Sequence, residues 1–254
     1  MADMAVIDLN CDLGESFGAY QIGLDSEVIP FITSANVACG FHAGDPVVME
    51  KTVALCRSNR VHVGAHPGFP DLIGFGRRNM AVKPEEAKAY VMYQVGALKA
   101  FCDAAGLRLN HVKPHGAMYN MAGKDYTLAK AIAEAVQSVD ETLVLLALSG
   151  SQMIQAAKDI GLPYASEVFA DRAYQSDGSL VPRTQPGAMI EDEDEAVARV
   201  IRMASEGKVM ANDGTEIAIR ADSVCVHGDG TKALAFVKKI GAALTAAGVE
   251  IRAF

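Results

Sequence analysis

Basic residues are the scarcer charge in this sequence: Lys and Arg number 23 against 31 Asp and Glu, for a formal charge of −8. That shortage argues against general nucleic-acid binding, which relies on clustered Lys and Arg to displace counterions. The five cysteines, Cys11, Cys39, Cys56, Cys102 and Cys225, are an odd number and form no Cys-x-x-Cys pair. No stretch reaches the ~18 apolar residues of a membrane span. The first residues carry no basic, apolar run of the signal-peptide type. These absences together lead us to expect a soluble, reduced, cytoplasmic protein. Also missing are a Walker A sequence, a Rossmann glycine fingerprint and a nucleophile elbow, since Ser149-Gly150-Ser151 lacks the flanking pattern. The usual local routes to ATP, a dinucleotide or a serine triad are therefore not visible.

What is present is a repeating alternation. Short apolar runs rich in β-branched residues occur at Val6–Leu9, Ser34–Ala38, Val61–Ala65, Arg108–Val112, Leu143–Leu148, Tyr164–Phe169 and Ser223–Val226. Runs of this length between turn residues fit strands of a buried parallel sheet. Helical patterns fall between them, at Pro46–Asn59, Pro84–Ala105, Tyr126–Val139, Ser151–Ile160, Glu191–Ser205 and Thr231–Ala247. Pro84-Glu85-Glu86 is a favourable first turn, because proline fits a helix start and acids complement the dipole there. Asp45 before Pro46 has the form of an N-cap. Alternating strand and helix implies parallel strands with right-handed crossovers. No linker or repeat divides the chain, so residues 1–254 are expected to form a single domain of the size usual for an α/β barrel. Asn212-Asp213-Gly214, between two alternating apolar segments, predicts a small β-hairpin insert before the seventh strand.

The unusual polar clusters follow the strands. They are Asn10–Glu15, Cys39–Asp45, His66–Asp71 with Gly74–Arg78, Lys113–Gly116, Asp171–Tyr174 with Arg183, and His227–Asp229. Loops at the C-terminal strand ends of a parallel α/β fold converge on one face and build its site. Four of the six histidines, His42, His66, His115 and His227, belong to that face, and imidazole suits proton transfer near neutral pH. His62 and His111 fall within strands, with side chains expected toward the core or barrel interior. Asp12 is a candidate general base or metal ligand, and with His42 and His66 it could hold a divalent ion. Glu15 follows Asp12 at a spacing that a capping box also uses. Arg77, Arg78, Lys113, Arg172 and Arg183 bring positive charge suited to a carboxylate or phosphate. Core packing is the expected role of the cysteines, which fall mostly within apolar runs, and Cys39, beside Gly40 and His42, is the one candidate for reactivity.

Seven segments carry a family resemblance: Leu9–Glu15, Ala35–Asp45, Gly64–Pro67, Gly74–Arg78, Val112–Gly116, Glu167–Arg172 and Val226–Asp229. Together they resemble the LamB/YcsF family from about residue 6 to 252. The resemblance implies a seven-stranded, TIM-like β/α barrel akin to the polysaccharide deacetylases. It implies a role as the A component of a bacterial 5-oxoprolinase, a hydrolase that opens the cyclic amide of pyroglutamate to glutamate. ATP would be used by the complex and bound by partner subunits B and C. On this reading catalysis falls to Asp12, His42, His66 and His115. Substrate binding falls to Lys113, Asp171, Arg172, Arg183, His227 and Asp229. Two other readings stay open: a metal-dependent deacetylase of N-acetyl sugars, and a non-enzymatic protein that binds small molecules in a regulatory role.

Overall fold

The structure, a computed structural model, describes residues 5–226 and 231–254, with side chains given up to 226 and from 234 onward. In chain order the elements are β1 (Val6–Leu13), α1 (Asp25–Val28), β2 (Ser34–Ala38), α2 (Pro46–Asn59), β3 (His62–His66), α3 (Pro84–Ala104), β4 (Leu109–Val112), α4 (Gly116–Ala122) and α5 (Tyr126–Val139). They continue with β5 (Val144–Leu148), α6 (Gln152–Ile160), β6 (Tyr164–Phe169), α7 (Glu193–Glu206), β7 (Lys208–Met210), β8 (Glu216–Ala218), β9 (Ser223–Cys225), α8 (Thr231–Ala246) and β10 (Glu250–Ile251).

Strands β1 to β6 and β9 are all parallel, and β9 pairs with both β6 and β1, so seven strands close into a barrel. Helices follow most strands and cover the outside. The expected hairpin is β7 and β8, paired antiparallel with Val209 opposite Ile217. Gly214 takes φ +83° at its turn, a left-handed conformation that glycine adopts without steric cost. The two-residue β10 lies beside the start of β1, with Ile251 opposite Ile7. Among the described residues, no helix is long and apolar enough to cross a membrane.

Alternation along the strands sorts the side chains. In β1, Ile7, Leu9, Cys11 and Leu13 join the apolar core, whereas Asp8, Asn10 and Asp12 point the opposite way. The inward set is joined by polar groups from neighbouring strands. Asp8 accepts hydrogen bonds from Thr33, Ser34 and Ser223, and Asn10 donates to Ser223 Oγ at 2.7 Å. Asn36 donates to Asn10 and Asp12, and His111 Nε2 donates to Asn36 Oδ1 at 2.7 Å. The lumen is thus a ladder of polar side chains, with the apolar core between barrel and helices.

This arrangement revises the sequence reading at β1. Asn10–Asp12 reads as loop because it is polar, yet the strand continues to Leu13, since those side chains pair across the lumen. His62 also departs from expectation: it opens β3 and is exposed, whereas His111 is fully buried. The short elements α1, α4 and β10 add to the elements expected from sequence.

Candidate functional site

The barrel's C-terminal mouth opens into a cleft of about 1230 Å³. Lys113 stands at its floor, just beyond β4, and is buried. Its Nζ lies 2.7 Å from Glu167 Oε1, 2.9 Å from Asp12 Oδ1 and 3.2 Å from Asn10 Oδ1. Burial alone would drive this amine toward neutrality, but the charge of Asp12 and the Glu167 carboxylate outweigh it and raise the pKa well above the ordinary lysine value. Lys113 is therefore a fixed ammonium between two acids. Tyr119 Oη donates to Glu167 Oε2 at 2.6 Å and completes the clamp. Glu167 opens one of the resemblance segments but takes no site role from sequence, because it sits inside β6; its signal is a lone acid at an inward strand position.

Asp12 occupies the last inward position of β1, and its Oδ2 lies 3.3 Å from His66 Nε2. His66 ends β3, and its Nδ1 lies 2.6 Å from the Lys113 carbonyl. His115 follows β4 and places Nδ1 3.0 Å from His66 Nε2. Its Nε2 lies 2.8 Å from the Phe75 carbonyl. Phe75 holds φ +54°, a left-handed backbone seldom taken by an aromatic residue, at the point where its carbonyl meets that ring. His42 stacks on His115, with rings 2° from parallel and centroids 3.7 Å apart. Burial, reinforced by the neighbouring imidazoles, lowers the pKa values of His42 and His115, the latter to about 3.

Glu15 belongs to the same group. Gly14 turns the chain directly after β1 at φ +71°, where an added Cβ would press on Thr52 and Val37. Glu15 Oε1 then lies 3.7 Å from His42 Nε2 and 3.9 Å from His115 Nδ1. One ligand atom from each of Glu15, His42, His66 and His115 lies within 4.8 Å of the others. The metal-capable set in the structure therefore differs from the Asp12, His42 and His66 combination expected from sequence. Asp12 borders that set, with Oδ1 on Lys113 and Oδ2 3.3 Å from His66 Nε2.

The remaining candidates divide. Arg172 is buried in the cleft wall, where Nη2 donates to the Val181 carbonyl at 2.7 Å; burial and nearby Arg183 lower its pKa to about 10. Arg183 is exposed on the same wall. Asp171 is half-buried beside them. Arg78 is held by Asp71, and Arg77 lies over the Phe75 ring. His227 and Asp229 lie outside the described residues. Cys39 is buried and its thiol is pushed up to about 12 by burial, so it stays protonated and unreactive at neutral pH. Asp45 takes the expected N-cap position: its Oδ1 accepts from the Val47 and Val48 amides.

A closed parallel barrel with a histidine and carboxylate cluster at its C-terminal mouth defines a β/α-barrel protein with the layout of an enzyme. The profile of the LamB/YcsF family matches residues 7–254, and the chain belongs to that family. It is 63% identical to the A component of 5-oxoprolinase from Clostridium beijerinckii over 248 residues, covering 98% of this chain and 97% of that one. It is 59% identical to the protein of the same name from Bacillus subtilis, covering 98% and 97%. Among solved structures, the lactam utilization protein of Thermus thermophilus superposes with a TM-score of 0.93 at 50% identity, covering 98% of this chain and all of that one. A putative cellobiose-phosphate cleavage protein from Enterococcus faecalis shares the fold at TM-score 0.58 and 12% identity.

Proposed function

We propose that this chain is the barrel component of an ATP-dependent 5-oxoprolinase, a cytoplasmic enzyme that hydrolyses the lactam of 5-oxo-L-proline to L-glutamate together with partner subunits B and C. Its full-length likeness to proteins of that name and to a lactam utilization protein supports the substrate class. The observation that carries the chemistry is the floor of the cleft, where Asp12 lies between the Lys113 ammonium and His66. On this reading residues 1–254 form one domain, which the pairing of β10 with β1 supports.

A five-membered lactam is a stable amide, and its opening needs coupling to a favourable reaction. The sequence carries no phosphate-binding loop, so the partners bind ATP and transfer its phosphoryl group to the lactam oxygen. The activated ring then enters the barrel. Asp12 takes a proton from a water, and the resulting hydroxide adds to the activated carbonyl carbon. The ring C–N bond breaks as the new hydroxyl gives up its proton and the nitrogen takes one, leaving an acyl phosphate. A second water then displaces inorganic phosphate and frees L-glutamate. Lys113 holds Asp12 in position, since Lys113 Nζ and Asn36 Nδ2 both donate to Asp12 Oδ1. His42, His66 and His115 line the wall behind that carboxylate. Arg172 and Arg183, with Asp171 beside them, face the substrate carboxylate and the phosphoryl group, a role that paired guanidinium donors suit.

Glutamate release from 5-oxoproline and ATP, measured for the chain alone and with both partner subunits, tests this. Activity is expected only in the full mixture. Asp12→Asn is expected to lower the rate by about 10²–10⁴-fold, the usual contribution of a positioned base. Full activity in Asp12→Asn, His42→Ala and His66→Ala alike would overturn the site assignment.

A further inference from the structure

Two ring nitrogens in the cleft face one another without a hydrogen to share. His66 Nδ1 lies 2.6 Å from a backbone carbonyl, and so does His115 Nε2 at 2.8 Å. A carbonyl oxygen only accepts, so each of these nitrogens carries the ring hydrogen. The opposite nitrogens, His66 Nε2 and His115 Nδ1, are then bare lone pairs in the neutral rings, 3.0 Å apart, and Asp12 Oδ2 is a further acceptor 3.3 Å from His66 Nε2. Two lone pairs at that distance repel unless a positive charge sits between them.

His42 sharpens the point. It is fully buried, and neither of its ring nitrogens has a hydrogen-bond partner among the described residues. A buried polar group left in that condition costs free energy that a bound ion would recover. The rings occupy space that two glycines keep open. A Cβ at Gly68 would come within 2.7 Å of His42 Nδ1, and one at Gly76 within 2.8 Å of His115 Cδ2.

We propose that Glu15, His42, His66 and His115 form a binding site for one divalent transition-metal ion of the zinc and cobalt class. Three imidazole nitrogens and a carboxylate oxygen suit such an ion. Ligand atoms about 2.0–2.1 Å from a tetrahedral ion are about 3.3 Å apart. Three of the six separations are 3.0, 3.7 and 3.9 Å and all six lie within 4.8 Å, so the set closes by up to about 1.5 Å on taking up an ion. Donation of the outer ring N–H to a backbone carbonyl is the arrangement by which metal-binding histidines are oriented. The parallel stack of His42 on His115 means that one ring tilts on binding to bring its lone pair onto the shared ion.

The test needs neither substrate nor partners, so its outcome is separate from that of the lactam assay. The full chain is stripped with a chelator and titrated with ZnCl₂ and CoCl₂, followed by calorimetry and by the visible absorption of cobalt. One equivalent of either ion is expected to bind, with a tetrahedral cobalt spectrum and a raised melting temperature. Glu15→Gln and His115→Ala are each expected to weaken binding at least about tenfold, the scale seen when a metal site loses a supporting group. His62→Ala, at an exposed histidine, is expected to leave binding unchanged. Absence of stoichiometric uptake by the wild-type chain overturns the site and assigns a shared proton to the His66–His115 contact. Undiminished uptake by a folded Glu15→Gln, His115→Ala double variant overturns it equally. Should that variant fail to fold, the wild-type stoichiometry and cobalt spectrum still decide.

Discussion

Gly64 is determined by the ring that stands beside it in the lumen. A Cβ there would lie 2.0 Å from His111 Nε2 and 2.3 Å from its Cε1, closer than non-bonded atoms approach. The ring has little room to yield, because Nε2 is fixed on Asn36 and the ring packs edge-on against Phe254. Gly64→Ala is therefore expected to cost about 1–3 kcal/mol, the usual penalty of overfilling a packed interior. Denaturant midpoints of Gly64→Ala, His111→Ala and the double variant check it. The double variant should be more stable than the sum of the two single losses predicts. Strict additivity would show that the two positions do not compete for space. Legibility at this scale follows from chemistry and position. Asp12, His42, His66 and His115 stand out in the sequence because they are polar, follow apolar runs and neighbour glycine. Glu15 is ambiguous, because its spacing from Asp12 is also that of a cap. Glu167 is legible only as part of the Glu167–Arg172 segment and carries no role there, because one acid within a strand shows its purpose only when the fold puts Lys113 against it.

At the scale of elements, Asp45 links a helix to a loop. Its Oδ1 caps α2 through the Val47 and Val48 amides, while Oδ2 accepts from the Gly18 amide at 2.8 Å. The Gly18 contact is the largest of the influences that hold the Asp45 carboxyl below its usual range. Asparagine has a single acceptor oxygen, so Asp45→Asn can keep the cap or the loop contact but not both. The cap is the better-determined geometry, since two amides converge on one oxygen. Amide exchange at Gly18 is thus expected to speed up in Asp45→Asn, while the first turn of α2 stays protected. Unchanged exchange at Gly18 would show that other contacts hold the loop carrying Glu15. The long strands and helices are legible because their periodicity runs over whole elements. The limits move where periodicity and polarity conflict, as at β1, whose inward Asn10 and Asp12 resemble a loop when read in one dimension. A four-residue helix such as α1 or a two-residue strand such as β10 offers too few positions for a period to appear.

For the whole molecule, closure of the barrel creates an interior that no single strand displays. Strands from opposite ends of the chain meet at β1 and β9, and the polar ladder between them exists only once they do. The acidic total of −8 says little about that interior, because Glu191–Glu195 lies at the start of α7 and without it the balance falls to −3. The lumen instead makes stability depend on pH through His111. Burial, aided by the nearby Lys113 charge, pushes His111 down to about 3 from an ordinary 6.5. The folded protein therefore refuses a proton that the unfolded chain accepts. His111 contributes its full share to stability above pH 6.5, and that share is lost as pH falls from there toward 3. His111→Gln keeps an N–H donor for Asn36 and removes the titration. Urea unfolding of wild type and variant across this range isolates the effect. The wild type is expected to lose stability more steeply, by up to about 1.4 kcal/mol per pH unit, the slope set by one proton. The variant's initial disadvantage should accordingly shrink as the solution is acidified. Parallel curves would mean that His111 takes up its proton equally in both states, and that acid unfolding begins elsewhere in the molecule.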